Sequence, residues 1–378
     1  MKFSVSSADL QRALATAGGA VPSKSTLPIL ECVLFERDGD RLAITATDLE
    51  ISIVQRLPVS FGANGDGARQ RVAVPARRLL DTLRALPDLP VAFSADDDFN
   101  VELRTDQGRY KMVGYDGADY PSLPEFDGAR TVETTGALIK RAIAKTGFAV
   151  SKDALRPAMM GVLMQVRPEH TRLVATDGHR LVKLTATGMA APEAFDVIVP
   201  EKALALAAKA VGDDRAPCTL HVGSGYVRFD LGGTTVIGRM IEEQYPNYEA
   251  VIPLENEKRL TVGREALLAA VRRVALYSSS MTHQVRLSLQ PDALEVSAED
   301  IERASEARER VLCEYDAEPM DIGFNSVYLT EVLQNVDAED VVFEFSSPNR
   351  AGVVMPRESA EGEELLMLIM PVMLNTYA

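Results

Sequence analysis

The sequence predicts an α+β protein made of three tandem, similar units. An order of elements recurs along the chain, its period is about 125 residues, and short alternating strands outnumber helices without the strand–helix alternation of a parallel sheet. The first recurring element is an amphipathic helix, marked by Leu10, Ala13 and Leu14, then Ile139, Ala142 and Ile143, then Leu267, Ala270 and Val271. The second is a strand ending in an acidic turn, at Asp48, Asp177 and Asp300. The third is the opening of another helix, at Pro75, Pro200 and Asn325. Helix to acid spans 38, 38 and 33 residues, and acid to second helix 27, 23 and 25. Each element is common alone; the shared order and near-constant spacing over three periods point to triplication. A further echo, Tyr120-Pro121 and Tyr245-Pro246, has no counterpart in the last third.

Within each unit, Ser7 or Thr135 is placed to cap the first helix. Leu42, Ile44 and Ala46 alternate with Ala43, Thr45 and Thr47, the period of a strand with one wet face. A hairpin loop is expected at Gly62–Gly67. Pro75 and Pro200 suit the first turn of the second helix, and Asn325-Ser326 suits a cap. Linkers at Leu123–Thr131 and Leu254–Arg259 divide the chain into domains 1–127, 128–254 and 255–378.

Composition narrows the class. Of 378 residues 46% are hydrophobic, which excludes wholesale disorder, and units of this size bury a core without disulfides. The three cysteines, Cys32, Cys218 and Cys313, are odd in number and far apart, so a reducing cytoplasm is the expected home. The opening MKFSVSSADL lacks the apolar stretch of a secretory signal, and Leu365–Leu374, with Pro371 inside it, is too short to span a bilayer. Forty basic against 55 acidic residues give a net charge of −15, which at first argues against nucleic acid.

Catalytic motifs are scarce. There is no phosphate-cradling Gly-x-x-x-x-Gly-Lys loop, and the glycines of GANGDG lead into a strand, the wrong setting for a dinucleotide. His170, His179, His221 and His283 have no metal spacing, so neither a metal nor a cofactor is expected. Asp96, Asp97 and Asp98 read as a charged hairpin tip. Asp177-Gly178-His179-Arg180 is the one cluster that suggests a general base, yet no nucleophile sits in a recognisable elbow beside it. A tight turn in which Gly178 supplies an unusual φ accounts for it better. A hydrolase centred on His179 and Asp177, or a three-domain scaffold without nucleic acid, are the alternatives to a non-catalytic binding protein.

The charge is unevenly spread. Six helical segments (8–17, 76–86, 137–147, 201–211, 264–276 and 326–335) carry twelve bases against five acids, leaving −22 on the rest of the chain. The bases include Arg77, Arg78, Lys140, Arg141, Lys145, Lys202, Arg272 and Arg273; the sixth helix has none. Helices facing one cavity would make it positive inside an acidic body.

The opening MKF, STLPIL (Ser25–Leu30), TATDLEI (Thr45–Ile51), VPAR (Val74–Arg77), ATDGHRL (Ala175–Leu181), IVP (Ile198–Pro200), IGFN (Ile322–Asn325) and Met370-Pro371 resemble the bacterial sliding clamps, the beta subunits of DNA polymerase III. The resemblance covers essentially the whole chain. It implies a DNA clamp fold, with two copies joined head to tail in a ring that double-stranded DNA threads without sequence preference. Such a ring tethers the polymerase III alpha subunit and meets the clamp loader, other polymerases and mismatch-repair or ligation proteins, and it is not an enzyme. Sliding requires weak phosphate contacts only. By position the resemblance adds Lys24, Lys152 and Arg156 to Arg77 and Lys202 as DNA-facing residues, and it assigns dimer contacts to Tyr110, Met112, Leu276 and Tyr277. A groove for linear peptides is implied at Met159, Thr176, Gly178, His179, Arg180, Leu181, Pro246, Val251, Leu368, Met370, Pro371 and Val372. This chain departs from the pattern at Pro157 and Ala158, where relatives often carry aromatics, and at Ala250, where some carry a base. It also continues Asn375-Thr376-Tyr377-Ala378 past the usual end, a tail able to cover part of the groove.

Overall fold

A computed structural model describes residues 1–62, 70–126 and 128–374, so most of the expected Gly62–Gly67 loop and the tail Asn375–Ala378 lie outside the described residues. Six helices carry the 3.6-residue period: α1 (Ser7–Ala17), α2 (Ala76–Ala85), α3 (Gly136–Thr146), α4 (Glu201–Ala210), α5 (Arg264–Ala275) and α6 (Ser326–Gln334). Each buries one stripe, such as Leu10, Ala13, Leu14 and Ala17 on α1, or Leu267, Ala270, Val271 and Val274 on α5.

Their starts refine the expected caps. Ser6, not Ser7, caps α1, its hydroxyl accepting from Asp9 N. Ser7 is buried, and its Oγ donates to Pro87 O and accepts from Leu89 N, which ties the helix start to the segment after α2. Pro75 sits at the cap of α2 rather than in its first turn, because it still pairs with Cys32 as the last residue of a strand. Pro200 likewise ends a strand, opposite Gly161. Thr135 Oγ1 accepts from Leu138 N, and Asn325 Oδ1 accepts from Val327 N and Tyr328 N, as a capping residue should.

The repeated acids all build turns. Asp48 Oδ1 accepts from Glu50 N and Ile51 N; Asp177 Oδ1 accepts from His179 N and Arg180 N; Asp300 Oδ1 accepts from Arg303 N. Thr47 and Thr176 add the same hydroxyl bridge, donating to Ile51 O and Arg180 O. Gly178 takes φ 90°, and Leu49 holds the same place in the first repeat at φ 77°.

Among the described residues the strands form sheets of five, nine and twelve, and the larger two cross the repeat boundaries. Strand Ile51–Pro58 of the first repeat pairs with Thr234–Arg239 of the second, Ile53 opposite Val236. Strand Arg180–Ala186 of the second pairs with Glu363–Ile369 of the third, Leu181 opposite Leu368. Two compact units result, each made of two chain segments: residues 1–140 with 202–240, and 141–201 with 241–378. No helix among the described residues is long and apolar enough to cross a membrane.

Candidate functional site

Two kinds of surface emerge. In the first unit, Lys24, Arg77 and Arg78 are exposed and form no ion pair with a described residue. Arg77 and Arg78 stand on the rim of a cavity of about 1010 Å³ between α2 and the segment that includes Val21, Pro22 and Pro28, with Val113 and Tyr115 on another side. Lys140 is engaged with Asp214 at 2.7 Å and Lys202 with Asp48 at 2.6 Å, yet the two lysine side chains keep 39% and 58% of their surface exposed. A phosphate can compete for cations in such wet pairs, because exposed pairs contribute about 1 kcal/mol or less.

In the second unit Lys152 and Arg272 are exposed, again without an ion-pair partner among the described residues. Arg156 pairs with Asp153 at 3.0 Å and Arg141 Nε with Glu363 at 2.6 Å. Arg273 makes a two-point bond to Glu309. Lys145 departs from expectation: its side chain is buried, and Nζ donates to Asn335 O at 2.6 Å and pairs with Asp337 at 2.7 Å. A cation so enclosed ties α3 to the segment after α6 and offers no charge to solvent. Leu155 stands exposed between Lys152 and Arg156, and the departure at Pro157 and Ala158 corresponds to a short 3-10 turn at Pro157–Met160.

The predicted groove residues also lie in the second unit. Among them lies a buried apolar cluster of Leu163, Val174, Leu181, Ile198, Tyr248 and Leu368, flanked by half-buried Ala158, Ile241, Tyr245 and Ile252. Leu181 and Leu368 meet there because their strands are paired. Met159 and Thr176 are buried, whereas Pro246, Val251 and Met370 are exposed. His179 O accepts from Met370 N at 2.8 Å, which fixes the end of the last strand to the 177–180 turn. Val372 is drawn to another strand: its N donates to Gly323 O at 2.9 Å. Tyr245 and Tyr248 anchor the segment through Val174 O and Gln165 Oε1, and burial raises both phenol pKa values. Tyr245 is the echo of Tyr120 at the repeat period, whereas Ile241 and Ile252 carry no such signal in the sequence.

Arg180 differs from the role its position implies. Only 7% of its side chain is exposed, and each of its three guanidinium nitrogens has a partner, in Asp177, Glu331 and Phe148 O. The same geometry removes the hydrolase alternative. Asp177 is occupied by two backbone N–H groups and Arg180, while the His179 ring stacks on Tyr328, so they form no acid–base pair. The described residues contain no cluster of three or more His, Cys, Asp or Glu suited to a metal.

Three tandem domains joined through shared sheets, with a half-covered apolar cluster in the second unit and scattered exposed cations, have the architecture of a DNA clamp. The N-terminal, central and C-terminal domain descriptions of the DNA polymerase III beta subunit match residues 1–124, 133–247 and 249–372. The beta sliding clamp of Caulobacter vibrioides is 32% identical over 92% of this chain and 94% of its own, and that of Vibrio cholerae 27% identical over 99% and 100%. The sliding clamp of Pseudomonas aeruginosa, solved bound to griselimycin, superposes with a TM-score of 0.91 at 28% identity, covering 99% of this chain and 100% of that one. The griselimycin-bound clamp of Bartonella birtlesii gives 0.90 at 26% identity, with the same coverage. The chain belongs to the DNA polymerase III beta subunit family, the beta sliding clamps, and its function is that of a DNA polymerase processivity clamp and not of an enzyme.

Proposed function

We propose that two copies of this chain, with domains 1–127, 128–254 and 255–378, close head to tail into a ring around duplex DNA. A junction that one chain leaves open carries this reading. At both filled junctions, the strand after one domain's acidic turn pairs with the last strand of the next domain: Ile51–Pro58 with Thr234–Arg239, then Arg180–Ala186 with Glu363–Ile369. The remaining members of this series are Ser305–Tyr315 and Arg109–Val113. Among the described residues, 305–312 pair on one side only, with 293–300, and Arg109–Val113 is the last strand of its sheet. Open edges of this kind favour pairing with another chain. Tyr110 and Met112 lie on one edge strand, while Leu276, 81% exposed, and Tyr277 follow α5 as apolar contacts for the same junction.

Lys24, Arg77, Arg78, Lys140, Arg141, Lys152, Arg156, Lys202, Arg272 and Arg273 are the proposed phosphate contacts. Weak, sequence-blind binding follows from their wet setting. The groove takes the polymerase alpha subunit, the clamp loader and repair or ligation proteins in turn, through short peptides with aliphatic and aromatic ends. Work at the replication fork places the protein in the cytoplasm. The test is retention on nicked circular duplex after loading, with release once the circle is cut, and a light-scattering mass twice the chain's 41.1 kDa. A monomeric mass, or equal retention on linear DNA, would overturn it.

A further inference from the structure

We infer that Glu331 is a positioning residue for the peptide groove, acting through the buried guanidinium of Arg180. The inference rests on the groove reading above. It begins from an oddity of sequence: of the six α-helices among the described residues α6 alone has no base, and its single charge is Glu331. Glu331 Oε2 meets Arg180 Nη1, one turn from Tyr328 on the same helix. The Arg180 guanidinium carbon lies 4.9 Å from the Tyr328 ring centre and 5.1 Å from that of Phe148. Its Nη2 donates to Phe148 O at 2.8 Å and its Nε pairs with Asp177 Oδ2 at 3.2 Å. The His179 ring stacks on Tyr328 at 5.6 Å with a 16° interplanar angle.

All of these contacts converge on one four-residue turn, which presents Gly178 and His179 to solvent and binds Met370 N through His179 O. The turn belongs to the second domain, while α6 and Met370 belong to the third. The ion pair and the ring stack therefore set the spacing between two walls of the groove, although neither Glu331 nor the Arg180 guanidinium needs to touch a peptide. When Glu331 loses its charge the Arg180 guanidinium keeps Asp177 but has no carboxylate partner on α6, so the turn is held to that helix less firmly and moves outward. That movement carries His179 off Tyr328 and strains the bond to Met370. A groove open before binding loses affinity by the fraction of molecules that are not competent.

The experiment uses the full-length protein and a fluorescein-labelled hexapeptide ending in Leu-Phe. Glu331→Gln should weaken peptide binding about tenfold and shift the His179 ring resonances as the stack opens, while the light-scattering mass stays that of the unmodified protein. Glu331→Asp, which keeps the charge, should recover most of the affinity. Tyr328→Leu, which leaves the ion pair intact, should also weaken binding and so guards against a Glu331→Gln protein that folds poorly. Unchanged affinity in a folded Glu331→Gln protein, or in Tyr328→Leu should Glu331→Gln fail to fold, with the unmodified protein binding normally, would overturn this inference alone. Failure of the unmodified protein to bind the hexapeptide would overturn the groove reading and this inference with it.

Discussion

Arg273 on α5 and Glu309 on strand Ser305–Tyr315 are joined by two parallel bonds, Nε to Oε1 at 2.8 Å and Nη2 to Oε2 at 2.6 Å. This fork geometry is the strongest form of ion pair available to an arginine. It ties a helix proposed to face DNA to the strand whose outer edge is proposed to close the ring. Arg273 is therefore less available to phosphate than its neighbour Arg272.

The first prediction separates those two roles by salt dependence. Replacing Arg77, Arg78 and Arg272 with alanine should lower the salt slope of DNA association by about 1 for every phosphate that is no longer neutralised. Replacing Arg273 alone should change the slope less and weaken the dimer more. Equal slopes for both proteins would place the phosphate-binding cations elsewhere.

The pair also has a pH signature. The hydrogen bond from Arg273 holds the Glu309 carboxyl below the ordinary glutamate range. Its contribution is then present above the unfolded value, about 4.3, and is lost as pH falls through the lower folded value. Urea unfolding of the native protein and of Glu309→Gln should differ at pH 6 and converge toward pH 3. A gap that widens on acidification would contradict the sign.

Lys145 should matter for stability and not for DNA. Its buried ammonium is held by Asn335 O and Asp337, so Lys145→Ala is expected to cost about 1–3 kcal/mol in chemical denaturation. DNA retention at low temperature should be unaltered, and weaker retention without weaker stability would restore Lys145 to the DNA-facing cations.

Gly178 tests the turn itself. At φ 90° an alanine is strained, and its Cβ would lie 3.0 Å from Arg156 Nη1. Gly178→Ala should destabilise by roughly 1–2 kcal/mol and weaken peptide binding. The equivalent Leu49→Gly should stabilise the first turn by removing the same strain, measured as a higher unfolding midpoint.

The proposed dimer contacts can be probed without harming the monomer, because Leu276 and Tyr277 are exposed in a single chain. Leu276→Ala with Tyr277→Ala should raise the dimer dissociation constant at least about tenfold, read by light scattering on dilution, with little change in circular dichroism. A dimer of unchanged stability would move the interface.

What the sequence made legible were features with a local physical cause. Repeated Asp48, Asp177 and Asp300 announce turns because a carboxylate two or three residues before a backbone N–H can accept from it. The helix stripes follow from spacing alone. Less visible was anything set by a distant partner. Ser6 and Ser7 are equivalent as capping residues until Pro87 O and Leu89 N engage the second of them. Lys145 and Lys140 share a helix, and only the backbone at Asn335 decides that one is enclosed. Strand Ser305–Tyr315, rich in alternating charge, shows no sign in its own residues that one side is left unpaired along 305–312. Glu331 gave a signal in the missing bases of α6, but its meaning depended on Arg180, 151 residues away.

The sheets that cross the repeats also order events in time. Strand Ile51–Pro58 must wait for Thr234–Arg239 before its second side is covered. At synthesis rates of about 5–20 residues per second, that delay is on the order of 10–30 s. A nascent chain thus exposes a folded but unfinished edge for far longer than its helices take to form, and a copy emerging on a neighbouring ribosome offers the same edge at the same stage. Translation pace therefore sets how long that strand waits for its partner.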